Sequence, residues 1–151
     1  MSYTAPKLES DSEQIGFVEH FYSRPINREL WRFEITRFGK SGVDLYVDHR
    51  PELGHIPGWF QGTVITAIAE YAGALSGIAS LPAGRMSATV DQHIKFIGQA
   101  RGEKLIARGH VIKPSLTLIA CEADVFVERE GKEHLIAKMI QSNSVFPEAK
   151  D

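Results

Sequence analysis

The chain has 151 residues, of which 43% are hydrophobic and 24% charged, as is typical of one globular domain. Its net charge of −2 gives no general attraction to nucleic acid or to an anionic membrane surface. The single cysteine, Cys121, excludes an intrachain disulfide and fits a reducing compartment. We find neither a secretory signal nor an apolar run of the ~20 residues that span a bilayer, so we expect a cytoplasmic protein without a membrane partner.

The N-terminal quarter of the chain begins with a polar stretch, residues 1–11, which we expect to be loosely attached. Residues 12–23 place apolar side chains at helical spacing, and Pro25 ends the pattern. The sequence therefore predicts an N-terminal extension with a short helix over residues 1–25 and one domain over residues 26–148.

A β-hairpin is predicted for residues 31–48, because apolar and polar residues alternate on both sides of a glycine-bounded turn. A proline- and glycine-rich loop follows over residues 49–60. Residues 61–79 then form the longest helical pattern in the chain. This helix has an apolar face and, opposite to it, a face of small residues instead of charged ones, so we expect it to be covered on all sides.

Four further segments alternate as β-strands do, and they are residues 86–97, 103–112, 115–129 and 132–146. Cys121 lies on the apolar side of the third of these strands, where we expect it to be a small core residue. Together the elements predict an α+β fold, with a long central helix packed on a curved antiparallel sheet.

One acidic residue, Glu70, interrupts the long apolar helix. A charged group buried alone is expensive, so a carboxylate in this position is a candidate acid, base or nucleophile. Two other interpretations stay open: the side chain points to solvent at an uncovered edge, or it pairs with an arginine across an interface.

Gly62 stands where this helix should begin, so its N–H is one of the unpaired amides at the positive end of the helix dipole. Such an N–H can polarise a carbonyl as an oxyanion hole does, and the preceding Gln61 can donate from its amide. Glu70 follows Gly62 by eight residues, which is about 12 Å of helix rise. One small substrate group cannot bridge that distance, so either the helix starts later or a second subunit supplies part of the site.

The loop and helix contain the stretches HIPGWFQGT (residues 55–63) and AIAEYAG (residues 67–73), and TVDQHIKF (residues 89–96) follows on the next strand. These stretches resemble the hotdog-fold acyl-CoA thioesterase superfamily, in particular its branch of phenylacetate-pathway and 4-hydroxybenzoyl-CoA thioesterases. The chain departs from the family pattern where His55 replaces Asn or Gln, Gln61 replaces His, and Thr63 replaces a second Gly.

The resemblance implies a hotdog fold and hydrolysis of a small or medium acyl-CoA thioester, aromatic acyl groups included. Glu70 would attack the thioester carbonyl or activate a water, and the Gly62 N–H would stabilise the oxyanion. His55 or Gln61 would orient the thioester, and Thr89, from a partner subunit, would help to hold the water. Homodimers or dimers of dimers would place the active site at the subunit interface.

The substrate would reach the site without any other cofactor, because CoA is part of the substrate. Side chains near the helix are candidates for acyl contacts, and basic residues are candidates for the CoA phosphates; the six substrate-binding candidates are Phe60, Thr63, Tyr71, Phe96, Lys95 and Arg101. The six histidines are scattered and form no close pair, so we predict no metal site.

Two other functions are compatible with the sequence. A hotdog-fold 3-hydroxyacyl thioester dehydratase or enoyl hydratase would use His55 and Glu70 as its catalytic pair. A non-catalytic acyl-CoA-binding module would keep the pocket and need no carboxylate. On the strand that follows the helix, the alternation places Asp91 and His93 on the same face as Thr89.

Overall fold

The computed structural model describes residues 7–8 and 12–148. Its elements in chain order are β1 (Lys7–Leu8), α1 (Ser12–Ser23), a π-helical turn (Ile26–Trp31), β2 (Glu34–Gly39), β3 (Gly42–Asp48), a 3₁₀ turn (Pro51–Leu53), α2 (Gly62–Ser80), β4 (Arg85–Phe96), β5 (Lys104–Lys113), β6 (Leu118–Arg129) and β7 (Lys132–Pro147). Residues 1–6 and 9–11, most of the segment predicted to be loosely attached, lie outside the described residues. Lys7–Leu8 forms a short strand instead.

The strands form one sheet in the order β1-β2-β3-β5-β6-β7-β4. β1 runs parallel to β2, and every other neighbouring pair is antiparallel. The central helix α2 packs across the middle of this sheet, mainly against β3, β5 and β6. The predicted α+β fold, a long helix wrapped by an antiparallel sheet, is confirmed, and it is the hotdog fold.

Helix α2 spans Gly62–Ser80, within one residue of the predicted range at each end. Its buried residues follow the helical period and include the whole predicted apolar face: Val64, Ile65, Ile68, Ala72 and Leu75. The expectation that α2 is covered on all sides is wrong for one chain. Thr63 is exposed and Ala67, Glu70 and Ala74 are half-buried, because the sheet of one chain does not cover this side of the helix completely.

The N-terminal helix and the turn after it join the same core. Val18 and Phe21 of α1 are buried there, and the Phe21 ring packs edge-on against Tyr71. The predicted hairpin starts three residues too early, since Trp31 ends the π-helical turn and β2 begins at Glu34. An arginine explains the difference: the Arg50 guanidinium donates to backbone carbonyls at the end of that turn and holds it as a turn.

A β-bulge interrupts β4, which pairs with β7. Thr89 lies opposite Asn143, but Asp91 lies opposite Ser142, so Val90 is the extra residue. The bulge reverses the alternation after this point. Asp91 therefore does not share the face of Thr89, contrary to the simple alternation of the sequence, and neither does His93.

By length and composition alone, α2 could cross a membrane. More than half of its apolar window is buried inside the domain, however, against the sheet. This is the packing of a core helix.

Candidate active site

Glu70 is half-buried and lies on the side of α2 that the sheet leaves partly open, two residues after the fully buried Ile68. Its Oε1 accepts a hydrogen bond of 2.6 Å from the Thr89 hydroxyl on β4. Both residues belong to the same chain, because the fold returns β4 along the side of α2 that carries Glu70. The prediction that Thr89 from a partner subunit helps to hold the water stays a prediction. Neither an arginine nor a lysine forms an ion pair with Glu70 within the described residues.

A chain of buried polar side chains continues from Thr89 into the core. Gln141 on β7 donates from Nε2 to Thr89 Oγ1 over 3.4 Å and to Asn143 Oδ1 over 2.8 Å. Gln141 is 1% exposed and Asn143 is completely buried. Sequence reasoning missed both residues, although a signal was present: the alternation of Ala137 and Met139 continues to positions 141 and 143, where it predicts buried side chains.

The N-terminus of α2 presents an unpaired amide. Gln61 is the N-cap residue, its side chain makes no capping hydrogen bond, and Gly62 is the first helical residue. No group in the described part of the chain accepts a hydrogen bond from the Gly62 N–H. The Phe96 ring lies beside this amide, since a Cβ added to Gly62 would be 3.7 Å from the ring. Thr63, the next residue, is exposed.

Gly62 and Glu70 do not meet in one chain. Because α2 begins at Gly62, the alternative in which the helix starts later is wrong. Eight residues of continuous helix separate the two groups by about 12 Å along the axis. The Gly62 N–H and the Glu70 carboxylate of one chain therefore cannot act on the same carbonyl carbon.

The loop before α2 holds the other catalytic candidate at the surface. His55 is exposed and makes no hydrogen bond to Glu70 among the described residues. Phe60, five residues later, is 4% exposed and packs its ring edge-on against His49. Phe60 is thus part of the core.

Tyr71 packs into an aromatic cluster, edge-on against both Phe21 and Phe33. Burial, and then the adjacent Glu70 carboxylate, raise the pKa of its phenol, so Tyr71 is neutral at pH 7. Burial also raises the pKa of the Cys121 thiol, to about 11. This thiol is fully buried in the sheet, as the sequence predicts, and it stays protonated.

A cleft of about 630 Å³ opens beside the loop that precedes α2. Its lining is rich in charged side chains and glycines: His49, Gly58, Arg101, Gly102, Glu103, Arg129 and Glu130. An isolated antiparallel β-bridge between Trp59 and Arg101 joins the part of the cleft lining around Arg101 to the loop that ends at Gln61. Neither Arg101 nor Arg129 forms an ion pair with any described residue. Lys95 lies elsewhere, opposite Lys138 on the sheet face that points away from α2.

Strand β4 is the last strand in the sheet order. Its second edge has no strand partner in residues 7–8 and 12–148. Two large apolar side chains of this strand are exposed to solvent, Val90 at 61% and Phe96 at 50%. An unpaired strand edge with exposed apolar residues is a template for pairing with another strand.

These features define the class of protein: a hotdog domain with a hydrogen-bonded acidic residue in its central helix and a free amide at the start of that helix. Residues 60–134 match the family model of the thioesterase superfamily. The particular branch named from the sequence stays a prediction. No curated protein matches this sequence.

Many solved structures share the fold, and three of them illustrate their similarity to this chain. A thioesterase family protein from Silicibacter pomeroyi has a TM-score of 0.80 at 22% identity, over 86% of this chain and 95% of its own. A thioesterase from Haemophilus influenzae has a TM-score of 0.78 at 20% identity, over 94% and 96%. A Shewanella oneidensis protein related to the thioesterase superfamily has a TM-score of 0.72 at 21% identity, over 89% and 99%.

Proposed function

We propose that this chain is an acyl-CoA thioesterase that hydrolyses a small or medium acyl thioester. The observation that carries the proposal is the state of Glu70, a half-buried carboxylate on the central helix that accepts a hydrogen bond from one hydroxyl and forms no ion pair with any described residue. A carboxylate held in this way is poised for a reaction with an electrophile or with water.

Hydrolysis requires an attack on the thioester carbonyl carbon and the departure of the thiol. The Glu70 carboxylate supplies either the attacking oxygen or the base that takes a proton from an attacking water. Negative charge then develops on the carbonyl oxygen, and a Gly62 N–H donates to it. When the intermediate collapses, the C–S bond breaks. If Glu70 acts as the base, the sulfur takes the proton that Glu70 removed from water, and CoA leaves as its thiol. If Glu70 attacks directly, CoA leaves as the thiolate and takes a proton from solvent, and water then hydrolyses the acyl–Glu70 anhydride. Gln61 lies beside Gly62 and its side-chain amide has no hydrogen-bond partner among the described residues, so it can orient the thioester.

The proposed site is shared by two copies of the chain. Since Gly62 and Glu70 of one chain are too far apart, the N–H of one copy acts together with the carboxylate of the other. The free edge of β4 and the stripe of small residues on α2, Ala67 and Ala74 among them, are the surfaces through which a second copy would approach. Small residues let two helices come close together.

We assign the phosphates of CoA to the cleft beside the loop. Two arginines that form no ion pair with any described residue line it, and guanidinium groups bind phosphate through paired N–H donors. Lys95, on the other face of the sheet, is not part of this assignment.

Replacing Arg101 or Arg129 with Ala is expected to raise KM for acyl-CoA about tenfold, because each variant loses a charge-assisted hydrogen bond to phosphate. KM for the matching N-acetylcysteamine thioester, which has no phosphate, should stay unchanged. Steady-state kinetics with both substrates measure the difference. Lys40→Ala, in the exposed turn between β2 and β3, is the control. Equal effects on both substrates would contradict the assignment.

Release of free thiol from a panel of short, medium, aromatic and hydroxylated acyl-CoAs tests the proposed function, with hydration of crotonyl-CoA assayed beside it. We expect thiol release from at least one donor, at a kcat of about 1–10³ s⁻¹. Hydration without thiol release would replace the thioesterase by the hydratase.

A further inference from the structure

Gln141 makes an unusual set of contacts for a core residue. Its Nε2 faces two oxygens, Asn143 Oδ1 and Thr89 Oγ1, while its Oε1 is buried and accepts no hydrogen bond within the described chain. That oxygen lies against Gly73 of α2, where an added Cβ would come within 2.7 Å of it. A glycine on the helix therefore makes room for the amide.

The number of available protons decides the direction of each hydrogen bond. Asn143 turns its Nδ2 toward Cys121 Sγ, 3.9 Å away, so its Oδ1 faces Gln141 and can only accept. Gln141 gives one of its two amide protons to this oxygen and directs the second to Thr89 Oγ1.

The Thr89 hydroxyl has one proton. Because its oxygen faces a donor on Gln141, that proton is directed to Glu70 Oε1. Glu70 Oε1 is thereby used as an acceptor, which suits the ionised carboxylate. No described residue donates a hydrogen bond to Oε2, so this oxygen is left for the reaction.

We infer that Gln141 is a positioning residue for the reaction of Glu70, acting through the Thr89 hydroxyl. The inference rests on the proposed thioesterase function. Gln141 touches neither the acyl group nor the carboxylate in this assignment. Its effect is to keep the Thr89 proton on Glu70 and so to hold the carboxylate in one orientation.

A purely structural role makes a different prediction. Gln141→Met leaves the buried Asn143 Oδ1 without its donor, so a purely structural role predicts lower stability with no change in catalysis. The positioning role predicts a loss of kcat without a loss of substrate affinity.

The experiment is a double-mutant cycle with Gln141→Met, Thr89→Val and the variant that combines them. We expect Gln141→Met to lower kcat about tenfold with KM unchanged. On the Thr89→Val background it should lower kcat no further, because the hydroxyl through which it acts is gone. Gln99→Met, exposed in the loop after β4, is the matched control, and thermal unfolding shows that each variant is folded. Equal losses on both backgrounds, or no loss on either, would overturn the inference.

A second measurement separates this inference from the proposed function. The side-chain amide signals of Gln141 in a ¹⁵N NMR spectrum should move in Thr89→Val, since the amide loses its acceptor, and also in Glu70→Gln, which the Thr89 proton contacts. This readout needs no turnover. If the wild type hydrolyses no thioester, the proposed function fails while the NMR result still decides on the bond directions. If those signals stay in place in both variants, the inference fails even in an active enzyme.

Discussion

Replacing Glu70 with Gln should lower kcat for acyl-CoA hydrolysis about 10³-fold and leave the affinity for acyl-CoA nearly unchanged. The amide has the shape of the carboxylate, and its oxygen can still accept the Thr89 hydrogen bond. It can neither take a proton from water at neutral pH nor attack a carbonyl carbon. Thiol-release kinetics measure the loss, and calorimetry with a non-hydrolysable acyl-CoA thioether measures the affinity.

The matched control is Glu19→Gln, the same chemical change at an exposed position of α1. It should leave kcat and KM at their wild-type values. If Glu70→Gln kept more than about a third of the wild-type kcat, Glu70 would have no part in the chemistry. If the wild type and the Glu70→Gln variant both bound acyl-CoA and neither hydrolysed it, the chain would be an acyl-CoA-binding module.

Replacing Gly62 with Pro should lower kcat about 10²-fold, because proline removes the one N–H assigned to the oxyanion. The backbone conformation at this position is compatible with proline. Gly62 is the first residue of α2, a position that proline favours, and Gln61 before it is already extended at φ −74° and ψ 147°.

Gly62→Ala is the control that keeps the N–H. An added Cβ meets only the Phe96 ring, at 3.7 Å, which is an ordinary contact. We expect its kcat within a few-fold of the wild type. If alanine and proline had the same effect, crowding near Phe96 would be the cause, and the role of the N–H would be wrong.

The fold was predictable because its signals are local and periodic. Nineteen residues without a basic side chain mark α2, and alternation marks each long strand, so the order hairpin, helix, strands already predicts a long helix packed on a curved antiparallel sheet. The hotdog fold itself was implied by the family resemblance. The start of β2 was not predictable from alternation. The backbone carbonyls at the end of the π-helical turn accept hydrogen bonds from Arg50, which is distant in sequence.

Two residues of the candidate site, Glu70 and Gly62, could be selected from the sequence, and their surroundings could not. Glu70 and Gly62 stand out because each breaks a pattern or marks a helix end. The bond from Thr89 to Glu70 within one chain depends on the path of β4, and the face of Asp91 depends on a bulge, which no periodicity reveals. The cleft at Arg101 forms between loops that are distant in sequence, so spacing does not indicate it.

In the proposed site, Gly62 of one chain and Glu70 of another act on the same thioester. Coexpression of Glu70→Gln and Gly62→Pro under two affinity tags, with purification through both tags, gives mixed dimers. One of the two sites in each mixed dimer then has an intact N–H and an intact carboxylate, and the other site has neither. We predict that the mixed dimer recovers about half of the wild-type kcat per dimer. Activity no higher than that of the two parent variants would contradict a shared site.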